Sequence, residues 1–211
     1  MHSIINLPSF VLAGILLNLT PGQDTMYILG RSISQGRKAG VYSALGISTG
    51  ALFHIAASAF GLSAILLSSA LVFMVIKFMG AGYLIFLGIR MAISKGDLPI
   101  DGRHNTISGI NYLKIYKQAI LTNVLNPKVA LFFLAFLPQF IDPSKADGPV
   151  PFLILGGIFL TTGTIWCLIV ARFSAHLAKR FRENAVVSRY IKKCCGGLFI
   201  LLGLKLALEK N

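Results

Sequence analysis

From position 39 to position 89 the chain carries one formally charged side chain, Lys77. A run of about 50 such residues is far longer than the ~20 apolar residues that cross a bilayer as a single helix. It must turn back on itself, and the polar pair Ser68-Ser69 offers the break. Across the whole chain six stretches have the length and character of a span: 4–30, 39–67, 70–93, 116–140, 150–173 and 190–208. With 55% hydrophobic and 13% charged residues, and a mean hydropathy of +0.74, the chain lacks the roughly one-quarter charged residues that cover a soluble domain. The expected fold is an all-α integral membrane protein with six transmembrane helices.

The net charge of +13 would ordinarily suggest nucleic acid. Its distribution gives another reason. Arg31, Arg37 and Lys38 lie in the first connection, Arg90, Lys95, Arg103, Lys114 and Lys117 around the third, and Arg172, Lys179, Arg180, Arg182, Arg189, Lys192 and Lys193 in the fifth. These alternate connections hold fifteen of the twenty Lys and Arg residues, and basic loops near helix ends stay cytoplasmic. Lys145, beside Asp142 and Asp147, is the basic residue of the intervening connections. Both termini are thus expected outside, with no role for nucleic acid. The fifth connection's cluster could also meet anionic headgroups. Cys167, Cys194 and Cys195 form neither a C-x-x-C nor a ligand-like spacing, which argues against a disulfide framework or zinc. The N-terminus has no basic region or small-residue cleavage site, so it is read as the first span and not a cleaved signal.

The chain repeats itself. AGYLIFLGIRMAI (81–93) aligns without gaps on GGLFILLGLKLAL (196–208), pairing Gly82 with Gly197, Gly88 with Gly203 and Arg90 with Lys205. More loosely, Asn18-Leu-Thr-Pro21 in the first span matches Asn123-Val-Leu-Asn-Pro127 in the fourth. Both pairings fit one transmembrane domain, 1–211, made of a three-helix half (1–95), a cytoplasmic connection (96–115) and a second half (116–211). An odd number of spans per half forces the second to insert upside down, the inverted 3+3 repeat common in secondary transporters.

Proline inside a helix removes a backbone donor and costs about 3 kcal/mol, so two breaks are expected. At Thr20-Pro21-Gly22-Gln23 the threonine could cap, the proline start, and the glutamine complete a capping box. Asn126-Pro127 repeats the order of cap and proline. Two half-helices beginning in mid-membrane would turn their positive ends toward an anionic group such as a carboxylate; alternatively, the prolines make ordinary kinks. Asp24 is the acidic residue that falls inside a span, where a carboxylate costs about 2.5–3.5 kcal/mol on insertion scales. It is the candidate for a substrate ammonium or a coupling proton, with Lys128 as its partner, or the two form a structural pair. His54, with Gly46 and Gly50 on its helical face, could relay protons or simply pack. Thr161, Thr162 and Thr164 could line a pathway or bond back to their own helix, and Lys77 could snorkel. Thr20, Gly22, Asn123 and Asn126 complete the candidate substrate and proton site around the breaks. No G-x-S-x-G, H-E-x-x-H or P-loop is present, and His2, His104 and His176 fall outside the spans or at an end, so neither catalytic residues, metal nor cofactor are assigned.

At NLTPGQD, GRSISQGRKAG and NVLNPKVALFFLAFLPQF the chain resembles the LysE/RhtB-type amino-acid exporters of bacteria, over nearly its whole length. The resemblance implies an inner-membrane exporter of amino acids or relatives such as homoserine, working against protons, and implicates Asn18, Pro21, Gly22, Asp24, Asn126, Pro127 and Lys128. The family's first motif usually reads P-G-P-D, where this chain has Gln23. The expected partners are an amino-acid substrate, protons and the lipid bilayer, with a homodimer allowed. An exporter of a metal or other ion is the rival within transport, though the spans are poor in Cys, His and acidic ligands. A membrane enzyme or assembly factor acting on lipids is the rival outside it.

Overall fold

The computed structural model describes residues 3–62, 110–142, 144–145 and 148–174, with scattered positions between 74 and 93 and between 193 and 208. The Ser68-Ser69 turn, Lys77, Cys194, Cys195 and the fifth connection's cluster from Lys179 to Lys192 lie outside the described residues, as does most of the 81–93 and 196–208 pairing.

Six helices organise the rest: α1 (Leu7–Leu19), α2 (Gln23–Gln35), α3 (Arg37–Ala56), α4 (Tyr112–Val124), α5 (Pro127–Leu131) and α6 (Val150–Arg172). A π-helical turn, Ala57–Leu62, extends α3, while a π-helical turn (Phe132–Phe136) and a 3-10 turn (Leu137–Phe140) extend α5. Among the described residues, Arg37–Leu62 and Val150–Arg172 are long and apolar enough to cross a membrane. Tyr112–Val124 with Pro127–Phe140, bent by 46°, makes a third crossing if counted as one. The expected first span carries the expected break. Its apolar part, α1, has 13 residues and is about 20 Å long, too short to cross alone, and the chain goes on as the more polar α2.

Glycine governs the turn into α3. Gly36 has φ +85°, a left-handed conformation open to glycine and costly for other residues, which lets α3 begin one residue after α2 ends.

Close contacts fix the senses of the helices. Gly46 of α3 lies against the Tyr116 carbonyl and Ala119 of α4, and a Cβ on Gly50 would fall 2.7 Å from the Asn123 Cβ. Thus α3 and α4 run side by side in the same direction, as close as small-residue seams allow. Down α6 the order reverses: Gly156 meets Ile55, Thr164 Oγ1 donates to Ser48 Oγ at 2.8 Å, and Ala171 meets Gly40. Along α1, Gly14 faces Phe159 and Asn18 faces Gly163, so α1 runs with α6 and against α4. The same opposition joins the start of the first span to the end of the fourth, where Ile4 and Ile141 form an antiparallel bridge and Ile5 N–H donates to the Phe140 carbonyl at 2.9 Å.

These senses gather Arg31, Arg37, Lys38, Lys114, Lys117 and Arg172 toward one end, the basic end. Lys38 lies 4.7 Å from the centroid of Tyr112 there, and Tyr42 stacks on Tyr112. At the other end Lys145 pairs with Asp142 at 3.0 Å. Hydrogen bonds from Ser144, then Lys145, hold the Asp142 carboxyl below its ordinary range. Between them lies an aromatic core of Phe10, Phe132, Phe133, Phe136, Phe140, Phe152 and Phe159, with Phe132 stacked 4.7 Å from Phe159.

Candidate functional site

The first break closes the end of one helix more than it caps the start of the next. Thr20 was expected to cap α2, with Pro21 at its first helical position and Gln23 closing a capping box. Instead Gly22 is the N-cap, without a side-chain bond, and Gln23 is the first helical residue. The Thr20 hydroxyl turns backward and donates to the Leu16 carbonyl at 2.7 Å. The physical reason is that a threonine hydroxyl can serve the carbonyl four residues before it as readily as an amide ahead, and α1 leaves terminal carbonyls in need of donors. Thr20 is 1% exposed, so an unused carbonyl there would be costly.

Lys128 supplies further donors from across the break. Its Nζ donates to the carbonyls of Leu17 and Thr20, both at 3.0 Å. A cation at a helix C-terminus is also favoured by the dipole. Gly22 makes room for it, since a Cβ there would stand 3.2 Å from Nζ. The α2 start is faced by its own acid, because Asp24 sits in the first turn. Each charged residue thus answers a half-helix end: Asp24 the positive end of α2, Lys128 the negative end of α1.

At the second break the cap and the proline stand in the expected order. Asn126 Oδ1 accepts from Lys128 N–H at 3.0 Å, and Pro127 begins α5. Asn123, at the end of α4, donates from Nδ2 to Asp24 Oδ2 at 2.9 Å. The Asn123 carbonyl accepts from His54 Nε2 at 3.0 Å, and the His54 ring lies over Phe133. His54 therefore holds the second break from behind. Asn18 donates to Thr162 Oγ1 at 3.4 Å. Of the threonines, Thr161 and Thr162 bond back to Gly157 and Ile158, while Thr164 crosses to Ser48.

A small, partly open cavity of about 40 Å³ lies where these parts meet. Asn18, Asp24, Asn123 and Lys128 line it, with Ser48, Thr164, Trp166 and Cys167 and apolar walls from Leu17, Ile47, Val129 and Phe159. Of the other expected site residues, Thr20 and Asn126 are buried, Pro21, Gly22 and His54 are half-buried and Pro127 is exposed, and none of these lines the cavity. Four buried polar atoms around Asp24 and along the wall have no hydrogen-bond partner: the acceptors Asp24 Oδ1 and Asn123 Oδ1, and the donors Asn126 Nδ2 and Trp166 Nε1. The Asn126 amide stands at the outer limit of a hydrogen bond to Asp24. Lys128 is within electrostatic reach of Asp24. Buried unpartnered polar atoms cost about 1–3 kcal/mol each, so a ligand that satisfies those lining the cavity, Asp24 Oδ1, Asn123 Oδ1 and Trp166 Nε1, would bind with that penalty relieved.

Sequence reasoning missed Trp166, Ser48 and Cys167 as lining residues. Trp166 carried a usable signal, being the single tryptophan of the chain, with an N–H two residues beyond Thr164 in a largely apolar span. Ser48 and Cys167 carried none, because small side chains reveal their facing only in the assembled bundle.

A family model described as LysE type translocator matches residues 15–210. The chain is 29% identical over 99% of its length to the "uncharacterized membrane protein YrhP" of Bacillus subtilis, which it covers completely. It is 32% identical to a "homoserine/homoserine lactone efflux protein" of Salmonella typhimurium, over 96% of both chains. A "leucine efflux protein" of the same organism is 28% identical over 73% of this chain and 72% of its own. No solved structure matches.

Proposed function

The chain belongs to the LysE type translocator family, and on that premise we propose that it is a secondary transporter exporting a neutral amino acid or close derivative from the cytoplasm. One observation carries the reading: the unpartnered polar atoms of the cavity lining suit the two ends of an α-amino acid. Asp24 Oδ1 and Asn123 Oδ1 are acceptors for an ammonium, and Trp166 Nε1 is a donor for a carboxylate, with Lys128 near by. The relatives named for homoserine and leucine efflux point to the same class of cargo. The apolar cavity walls favour a neutral side chain over a dibasic one.

In this reading Asp24 also carries the coupling proton, so that ammonium and proton compete for one carboxylate and exchange across the membrane follows. His54, bonded to the carbonyl of the residue that holds Asp24, keeps the second break in register. The protein sits in the bacterial inner membrane as one transmembrane domain of two inverted three-helix halves, 1–95 and 116–211, joined by the cytoplasmic connection 96–115. The basic end faces the cytoplasm, both termini lie outside, and a homodimer is compatible with the apolar exterior. The opposite senses of α1 and α4, and the convergence of their breaks on Lys128 and Asp24, support this arrangement.

Vesicles loaded with radiolabelled leucine, homoserine, threonine or lysine provide the test. An imposed pH gradient should accelerate efflux of at least one neutral amino acid and leave lysine near background. Efflux that matches empty vesicles for every amino acid overturns the export reading; efflux that ignores the pH gradient overturns proton coupling.

A further inference from the structure

Asp24, Tyr27 and Arg31 stand three and then four residues apart along α2, and so share one helical face. That face meets α4, and its contacts descend from the cavity toward the basic end. Asn123 donates to Asp24 at 2.9 Å, the Tyr27 hydroxyl donates to the Ile115 carbonyl at 3.0 Å, and Arg31 Nη2 donates to Gln118 Oε1 at 2.7 Å. Arg31 Nη1 also reaches Gln35 Oε1 at 3.2 Å, and its guanidinium lies 5.3 Å from the centroid of the Tyr27 ring.

This seam differs in kind from its neighbour. Between α3 and α4 the contact is made by glycines at Gly46 and Gly50, with the facing backbone in the place a Cβ would take, and such a contact opens only by leaving a void. Between α2 and α4 it is made by polar groups that can exchange one another for water. The Arg31 bonds go to neutral amide oxygens, weaker acceptors than carboxylates, so the contact can break and reform. The segment itself has a joint at each end: the break at Thr20 to Gly22, and Gly36 with its positive φ.

The geometry points to α2 as an inner gate, a hinged helix that closes the cavity from the basic end while Arg31 is latched on Gln118. Ile28, Leu29 and Ser32 stay seated on α3 and α6, with Ser32 against Gly40, so release of the latch lets α2 roll on that seat away from α4 and opens the cavity toward the basic residues. This rests on the export reading only for the direction of cargo.

Cys167 lines the cavity and serves as reporter once Cys194 and Cys195 are replaced by serine. A thiol reagent that does not cross membranes is applied to vesicles of each orientation, and the labelling rate of Cys167 is measured. Gln118→Ala removes the acceptor and should speed labelling several-fold from the face that carries Arg37 and Lys38, with the other face unchanged. Gln118→Glu makes the latch charge-assisted at the same length and should slow labelling, a direction that a damaged fold would not produce. Equal rates in all three proteins, whether fast or absent, or acceleration from both faces, overturns the gate. Labelling needs no substrate, so latch-dependent labelling in a protein that moves no amino acid would count against the export reading and leave the gate standing.

Discussion

Asp24→Asn should reduce export driven by a pH gradient to the level of empty vesicles while the protein remains folded. Asparagine keeps an oxygen where Asp24 Oδ2 accepts from Asn123, and its volume is nearly the same, so the packing around the first break is preserved. What it loses is the charge. A neutral amide can fill neither role proposed for Asp24, taking up a coupling proton or balancing a substrate ammonium, and it no longer answers the positive end of α2. Unchanged yield, circular dichroism and elution from a sizing column would establish that the fold survives. Efflux that still accelerates with the pH gradient would remove Asp24 from the coupling role.

The second large effect is on folding. Gly46→Leu drives a side chain into the Tyr116 carbonyl and Ala119, where even a single Cβ cannot fit without movement. Overpacking of this kind costs typically 1–3 kcal/mol and occasionally more, and a rigid backbone carbonyl as the obstacle places it at about 3 kcal/mol. For a chain of this size that corresponds to a melting temperature lower by roughly 6–12 °C, measurable in detergent, together with poor accumulation in the membrane. Gly30→Leu is the matched control, because a Cβ there meets nothing within 4 Å; it should melt within a few degrees of the parent. Equal melting of the two variants would show that the glycine seam does not hold α3 to α4.

The sequence made some of this legible because certain residues speak for themselves. A proline in an apolar run announces a break wherever it lies, and a carboxylate in a span announces a polar neighbour; Pro21, Pro127, Asp24 and Lys128 were found on those grounds. Asn126 was legible as a cap because its place directly before Pro127 leaves it little else to do. Thr20 was misread since its hydroxyl has two local options, an amide ahead or the carbonyl four residues before it, and the buried end of α1 took the second. Lys128 has a second role that its charge did not announce: beside its electrostatic reach to Asp24, its ammonium is bonded to the carbonyls of Leu17 and Thr20, groups that every residue carries and no sequence marks. Gly46 and Gly50 were recognised as a packing face, but which helix they meet is a property of the bundle. The latch of Arg31 on Gln118 was invisible for that reason too, since nothing in either residue type names the other.

The cluster of phenylalanine rings that runs from the cavity wall at Phe159 out to Phe140 bears on a cost that any carrier of this kind must control. Protons hop along chains of hydroxyls, amides and water, and interlocked benzene faces offer no such wire. Copies at rest should therefore leave the voltage across their membrane undisturbed.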